Sequence, residues 1–427
     1  MYNSMQQLFD QYDISHYGFL PIEEPLARLP HPYYQPWENM ISSLESLIVT
    51  GVFHDEIRNL PVLDTSLLRT IPEWRRAYVI LSFFTHAHIW SGPVPIEILP
   101  PCITRPLIDV SNFLGLPPTA TYPALNLWNC ALRMPHSQFD LTNPDNVIIR
   151  HSFTGTPDER WFYAVSVSVE AQGTKAVKLV LSCIDAIRQN DNPQVLECLR
   201  LFNEVILQLG QILQRMHEKC DPCVFYYRIR PFLAGSKDME RAGLPRGVFY
   251  DEGNGVGSWR QYSGGSNAQS TLIQFLDIAL GVKHEATGSK SSEGSARRQT
   301  YLDEMRNYMP RSHRQFLEHF ASIANIRDYV MTTPPDSPVA NAFDSAVKGL
   351  TIFRDIHIKI VARYIVAPSR APTARQANTS TKNIASSSSA TSDRNDLKGT
   401  GGTDLIAFLK QTRDETRAAS TEKVLCE

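Results

Sequence analysis

The sequence predicts a mainly α-helical protein of two domains: a small N-terminal helical body with its connecting segment over residues 1–150, and a larger helical body over residues 151–427. Apolar residues recur at steps of three and four in stretches far longer than a strand. Glycine and proline gather between those stretches rather than within them. Hydrophobic residues make up 42% of the chain, enough for a substantial core.

Taken in order, residues 1–115 hold several helical stretches parted by prolines. In WENMISSLESLIVTGVF, Met40, Leu44, Leu47 and Ile48 lie on one helical face, and Glu73–Trp90 is long enough for a buried helix. From Pro117 to about Phe153 the chain is rich in Pro and Asn and reads as an irregular connection. WFYAVSVSVEAQGTKAVKLVLSCIDAI and QVLECLRLFNEVILQLGQILQRMHEKC are two long helices, although the valines and serines of the first also suit strands. The Gly- and Pro-rich run from Pro231 to Gly265 reads as a long loop or a set of turns, of a kind more often functional than idle. Helical spacing returns at SNAQSTLIQFLDIALGV, between Arg306 and Met331, and around His357. Residues 368–397, poor in large apolar side chains, are predicted to be mobile, and an amphipathic C-terminal helix follows. There are no internal repeats.

The balance of 42 Lys+Arg against 44 Asp+Glu, a formal net charge of −2, is not that of a nucleic-acid binder. No apolar run is long enough for a membrane span, and MYNSMQQLFDQYDIS lacks the pattern of a secretory signal. Seven scattered cysteines fit reduced thiols. A soluble cytoplasmic protein, acting as a monomer without nucleic acid or membrane, is the expectation.

Several residues invite chemical readings. His86 and His88, two apart on a helix, point roughly 200° away from each other and suit core histidines better than a shared metal. Cys220-Asp-Pro-Cys223 has CxxC spacing but no second ligand pair and no βαβ context. Ala346, Leu350, Phe353, His357, Val361 and Tyr364 share one helix face. A neutral imidazole there suits an axial haem ligand, with Arg354 one turn earlier to meet a propionate, although a lone histidine on an apolar face is more often a satisfied core residue. In FYYRIRPFLAGSK, aromatics with Arg228 and Arg230 offer a slot for a flat ring and a carboxylate partner, or an arginine stacked in a core. YSGGSNAQS allows close backbone approach to a flat ligand, or simply starts a helix.

Together these segments resemble the indoleamine 2,3-dioxygenase family, and its fungal members in particular, over nearly the whole chain. RPFLAGSK, YSGGSNAQS, NYMPRSHRQFL, RDIHIKIVARYI and KGTGGTD carry the likeness by their order and spacing. The resemblance implies haem b on His357, with Arg354 and Asp277 on the propionate side and proximal network, and Gly265, Ser266 and Asn267 passing the haem edge. It implies Phe162 with Ser166 above the haem, Phe225 packing on an indole, Tyr122 as a pocket wall, Arg230 on the substrate carboxylate and Thr400 in a closing lid. Tyr226 stands where better-known members carry a second Phe and is counted with the substrate contacts; Asn126 and Asn267 also depart from the pattern. Ser166 occupies the place where the related tryptophan 2,3-dioxygenases present a histidine.

The implied reaction inserts both atoms of O2 across C2–C3 of L-tryptophan or a close relative. It gives N-formyl-L-kynurenine, the first step of the kynurenine pathway towards NAD, needs an electron donor to keep the iron ferrous, and uses no protein acid or base. Two alternatives stand beside it: a specialised paralogue acting on a modified tryptophan or other indole in secondary metabolism, and a haem-binding sensor with little turnover.

Overall fold

The computed structural model describes residues 2–132, 140–285, 300–370, 399 and 405–421. The N-terminal part runs through α1 (Tyr2–Tyr12), α2 (Gln35–Ser42), α3 (Leu44–Val49), α4 (Phe53–Asn59), α5 (Ile71–Trp90), β1 (Ile98–Leu99) and α6 (Pro101–Leu114). Nearly every residue of α5 after Trp74 is inaccessible, as expected of a helix apolar on all sides. His86 is one of its core residues. Its Nδ1 lies 2.7 Å from the Phe232 carbonyl and its Nε2 2.9 Å from Thr119 Oγ1, so both ring nitrogens are used.

The connecting segment holds more order than its composition predicts. A π-helical turn spans Pro123–Leu127, and β2 (Cys130–Leu132) pairs antiparallel with β3 (Val147–Ile149). The long helices then follow: α7 (Pro157–Arg188) and α8 (Asn192–Gln214). Thr156 Oγ1 accepts from the Glu159 amide, Pro157 takes the first turn, and Asp158 and Glu159 sit at the positive end of the macrodipole. These signals decide for helix over strand in the valine-rich run. The short helices α9 (Met216–Lys219), α10 (Pro222–Val224) and α11 (Arg230–Leu233) follow, with a second π turn at Phe225–Ile229.

The stretch from Pro231 to Gly265 corrects the expectation of a loop. It contains a hairpin of β4 (Val248–Gly253) and β5 (Val256–Arg260), with β1 parallel to β4. Gly253 pairs with Val256, so Asn254-Gly255 is a two-residue turn; its φ angles of 56° and 74° are those of a type I′ turn. That dipeptide is a hairpin signal the sequence reading passed over.

The C-terminal part comprises α12 (Thr271–Ala279), α13 (Tyr301–Arg306), α14 (Arg311–Ile323), α15 (Ile326–Met331) and α16 (Pro338–Val361). A third π turn at Ala362–Val366, then α17 (Ala367–Ser369) and α18 (Leu405–Arg417), complete it. Apart from Pro368–Arg370, residues 368–397 lie outside the described residues. Two hydrophobic cores form. One gathers α2–α6, the first half of α7 and the stretch Met216–Tyr250; the other gathers α1, the rest of α7, α8, α12 and α14–α16. Phe9 of α1 thus belongs with the C-terminal helices, and Phe225 with the N-terminal ones. α8 packs against both α7 and α16. α7 meets α12 at Gly173, where a Cβ would lie 2.2 Å from Leu272 Cδ2 and 2.9 Å from its Cγ. No helix among the described residues is long and apolar enough to cross a membrane.

Candidate active site

The helix α16 starts cleanly, with Ser337 Oγ accepting from the Ala340 amide and Pro338 in its first turn. Its inner face carries His357, which with Ile360 and Val361 lines an internal cavity between α7, α16 and α18. His357 is only half-buried because its ring meets that cavity, yet it lies deep in the fold. Burial, with the Arg354 cation as a second cause, pushes its pKa down to about 4, so the imidazole is neutral at ordinary pH. It makes no hydrogen bond with any described residue. A neutral imidazole facing an apolar cavity is the state a metal ligand requires.

The cavity has two contiguous lobes, of about 160 and 100 Å³, which share Tyr122, Ser166, Asn267, His357, Phe408 and Leu409. Each lobe is smaller than the roughly 300 Å³ at the low end of ligand pockets. The lobes adjoin, and Phe408 and Leu409 of α18 belong to the wall of both. A larger concavity, of about 670 Å³, lies elsewhere. It is an open groove whose Arg75 and Arg76 are already paired with Asp13 and Glu38, and it carries none of the residues singled out above.

Around the larger lobe stand Tyr122, Phe162, Ser166, Phe225, Arg230, Gly265, Ser266 and Asn267. Phe162 and Phe225 meet edge to face at 5.1 Å, and Phe225 stands perpendicular to Tyr364 at 5.7 Å. Ser166 Oγ donates back to the Phe162 carbonyl at 3.3 Å. Arg230 is 3% exposed, with its guanidinium 5.8 Å from the Tyr226 ring centre. Arg228, two residues earlier, is exposed. Burial pulls the Arg230 pKa down, but an arginine stays cationic regardless. Gly265 gives the loop room, since a Cβ there would lie 2.5 Å from Leu125 Cδ1.

Two of the expected site residues, Tyr226 and Asp277, do not line the cavity. Tyr226 lies beneath Arg230 and does not line the cavity, because consecutive helical residues point about 100° apart and Phe225 takes the inward position. Asp277 lies behind the cavity wall and acts through Arg354. Arg354 Nη2 donates to both Asp277 oxygens at 2.6 and 2.7 Å while Nη1 donates to the Thr412 carbonyl at 2.7 Å. Arg354 therefore ties α16 to α12 and α18, and it also lines the smaller lobe of the cavity beside His357. Thr400 lies outside the described residues.

The sequence reading missed Glu170, one turn beyond Ser166. Its Oε1 accepts from Tyr122 Oη at 2.9 Å and Ser270 Oγ at 2.6 Å, joining three elements of the cavity wall. Burial raises its pKa to about 7 against those hydrogen bonds. Leu405, Phe408, Leu409 and Thr412 were also missed, although their spacing marked an inward face of α18. All three π turns reach the cavity, through Leu125 and Asn126, through Phe225, and through Tyr364 and Ile365. Such turns are rare and concentrate at functional sites. Among the described residues no group of three or more His, Cys, Asp or Glu is arranged for a metal ion, so Cys220 and Cys223 form no such centre.

A sequence-family model described as indoleamine 2,3-dioxygenase matches residues 8–419. An indoleamine 2,3-dioxygenase of Penicillium citrinum is 40% identical over 425 residues, covering 97% of this chain and 90% of the relative. One of Saccharomyces cerevisiae is 41% identical over 434 residues, covering 97% and 94%. A 6-hydroxytryptophan 2,3-dioxygenase of Fusarium equiseti is 37% identical over 410 residues, covering 94% and 96%.

Proposed function

Because this chain belongs to the indoleamine 2,3-dioxygenase family, we propose that it holds haem b on His357 and opens the indole ring of L-tryptophan at C2–C3 to give N-formyl-L-kynurenine. One observation carries the reading. A neutral, unpartnered imidazole and a buried guanidinium line the same largely apolar cavity. Haem, when bound, supplies the redox-active iron that makes O2 reactive towards the ring.

This chain's residues do the rest. Arg230 takes the substrate carboxylate, in surroundings where a charge-assisted pair is strong. Phe162 and Phe225 form a corner against which a flat indole packs, with Tyr122 and Leu125 on the pocket wall. Gly265, Ser266 and Asn267 let backbone run close to the edge of a planar group. Arg354, held by Asp277, keeps the last turns of α16 in place beneath His357. No Asp or Glu lines the cavity among the described residues, and the Ser166 hydroxyl proton is spent on a carbonyl. The residues thus position and desolvate the substrate without acting as acid or base. The test is tryptophan-dependent O2 uptake by the haem-loaded, reduced protein. Stoichiometric N-formylkynurenine supports the reading; haem binding without turnover would instead identify a sensor.

A second reading rests on Asn126. Its Nδ2 donates to the Tyr122 carbonyl at 3.2 Å, which fixes the amide orientation, and its buried Oδ1 has no partner among the described residues. An unfilled acceptor on the pocket wall suits a donor on the substrate ring, such as the hydroxyl of a hydroxytryptophan. Comparing kcat/KM for L-tryptophan and ring-hydroxylated tryptophans, in the natural chain and in Asn126→Leu, separates the two. A preference for the hydroxylated substrate that Asn126→Leu removes favours the second; equal rates favour the first.

A further inference from the structure

Behind His357 lies a charged group that the proposed reaction does not use. His284 follows α12, and its ring bridges two helices. Its Nδ1 is 2.5 Å from Glu415 Oε2 on α18, and its Nε2 is 3.2 Å from Asp277 Oδ2 on α12, a charge contact rather than an aligned hydrogen bond. The same stretch is stitched to α18 twice more. Glu415 Oε1 accepts from the Glu285 amide at 3.0 Å, and Gln411 Nε2 donates to the Glu285 carbonyl at 2.9 Å and to Glu415 at 2.7 Å. Arg354 completes the cluster through Asp277 and the Thr412 carbonyl. The charged groups facing His284 are therefore Asp277 from α12, Glu415 from α18 and Arg354 from α16.

With His284 protonated, the cluster holds two cations and two carboxylates. With it neutral, Asp277 keeps the Arg354 guanidinium but Glu415, half-buried beside it, loses its cation, an imbalance that a low-dielectric interior penalises. α18 is the helix whose Leu405, Phe408 and Leu409 line the cavity. We propose that His284 is a positioning residue for the haem site: as a cation it balances Asp277 and Glu415, and so latches α18 onto the cavity and fixes Arg354 one turn from the iron ligand. This rests on the reading of His357 as that ligand.

The surroundings favour the charged form. Burial alone would lower the imidazole pKa, but contacts with Asp277 and Glu415 outweigh it and raise it from 6.5 to about 9. The folded value lies above the unfolded one, so the latch contributes fully below pH 6.5 and is lost as pH rises through about 9.

The test compares the natural chain, His284→Gln, and His284→Gln with Glu415→Gln, all full-length and haem-loaded, from pH 7 to 10. Two quantities are read: the rate of haem loss to an excess of haem-scavenging apoprotein, and hydrogen–deuterium exchange over Leu405–Arg417. At pH 7 His284→Gln is expected to lose haem roughly tenfold faster, with faster exchange in α18. The double variant, back to one carboxylate and one guanidinium, should recover most of both. The natural chain should approach His284→Gln above pH 9 while the double variant stays flat. Unchanged haem loss and exchange in His284→Gln overturn the proposal. A double variant no better than the single one also overturns it, because removing a second charge does not repair a packing defect. If the natural chain takes up no haem, the reading of His357 fails instead, and exchange in α18, measurable without haem, still decides on the latch.

Discussion

The two sides of the cavity are built by different physics. The side bearing Phe162, Ser166, Phe225 and Arg230 is made of ring packing and one buried cation, so its shape is set by side-chain volumes. The side bearing His357 is backed by Arg354, Asp277, His284 and Glu415, which tie α16, α12 and α18 together by charge. Packing tolerates small changes in shape, which suits a surface that selects among indoles. A buried charge cluster is intolerant, since removing one member strands its partner. That suits a surface that must hold one nitrogen at one place.

The comparison breaks first at its sharpest point. His357→Ala is expected to abolish the Soret absorbance of bound haem altogether, whereas no single substitution on the aromatic side should do so. Arg230→Ala should leave the Soret band intact and lower kcat/KM for L-tryptophan about 100-fold, roughly the 3 kcal/mol of a hydrogen bond to a charged group. An equal loss of haem in both variants would erase the distinction. Gly173→Ala probes the seam where α7, from the aromatic side, meets α12, from the charged one. Its Cβ would collide with Leu272, so a cost of about 1–3 kcal/mol and a lower Tm are expected by calorimetry.

The smallest effect concerns pH. Glu170 has a folded pKa of about 7 against an ordinary 4.5, so its contribution is complete below 4.5 and is lost as pH rises through 7. Glu170→Gln keeps an acceptor for Tyr122 and Ser270, so its Tm should gain on the natural chain between pH 5 and pH 8. The charged side should weaken later, from above pH 6.5 to about 9, through His284. One shared midpoint for both losses would mean that the sides are coupled after all.

The aromatic side was the more legible of the two in the sequence. The Phe225–Arg230 segment announces itself by composition, while Phe162 and Ser166 were reached only through the resemblance to the family. His357 was legible through its helix face, yet its periodicity could not separate a ligand from a core histidine. The charge cluster was hidden, because His284 and Glu415 are 131 residues apart and belong to no common pattern. The hairpin was overlooked although Asn254-Gly255 marked it, since surrounding glycines and prolines read as loop. The Phe225–Ile229 stretch forms a π turn, which leaves no mark in hydrophobic spacing, so which of its aromatics meets the cavity could not be read from the sequence.

Those π turns have a consequence for how such a pocket is edited. A π turn is an α-helix carrying one residue too many, and each residue advances a helix by about 100°. Deleting one residue from Phe225–Ile229 would restore an ordinary α-helix while swinging either the aromatic or Arg230 a quarter-turn out of place. Neither side chain would change. The grammar of the site is therefore partly one of length, and an alignment gap at Pro123–Leu127, Phe225–Ile229 or Ala362–Val366 would signal a rebuilt pocket even where every named residue survives.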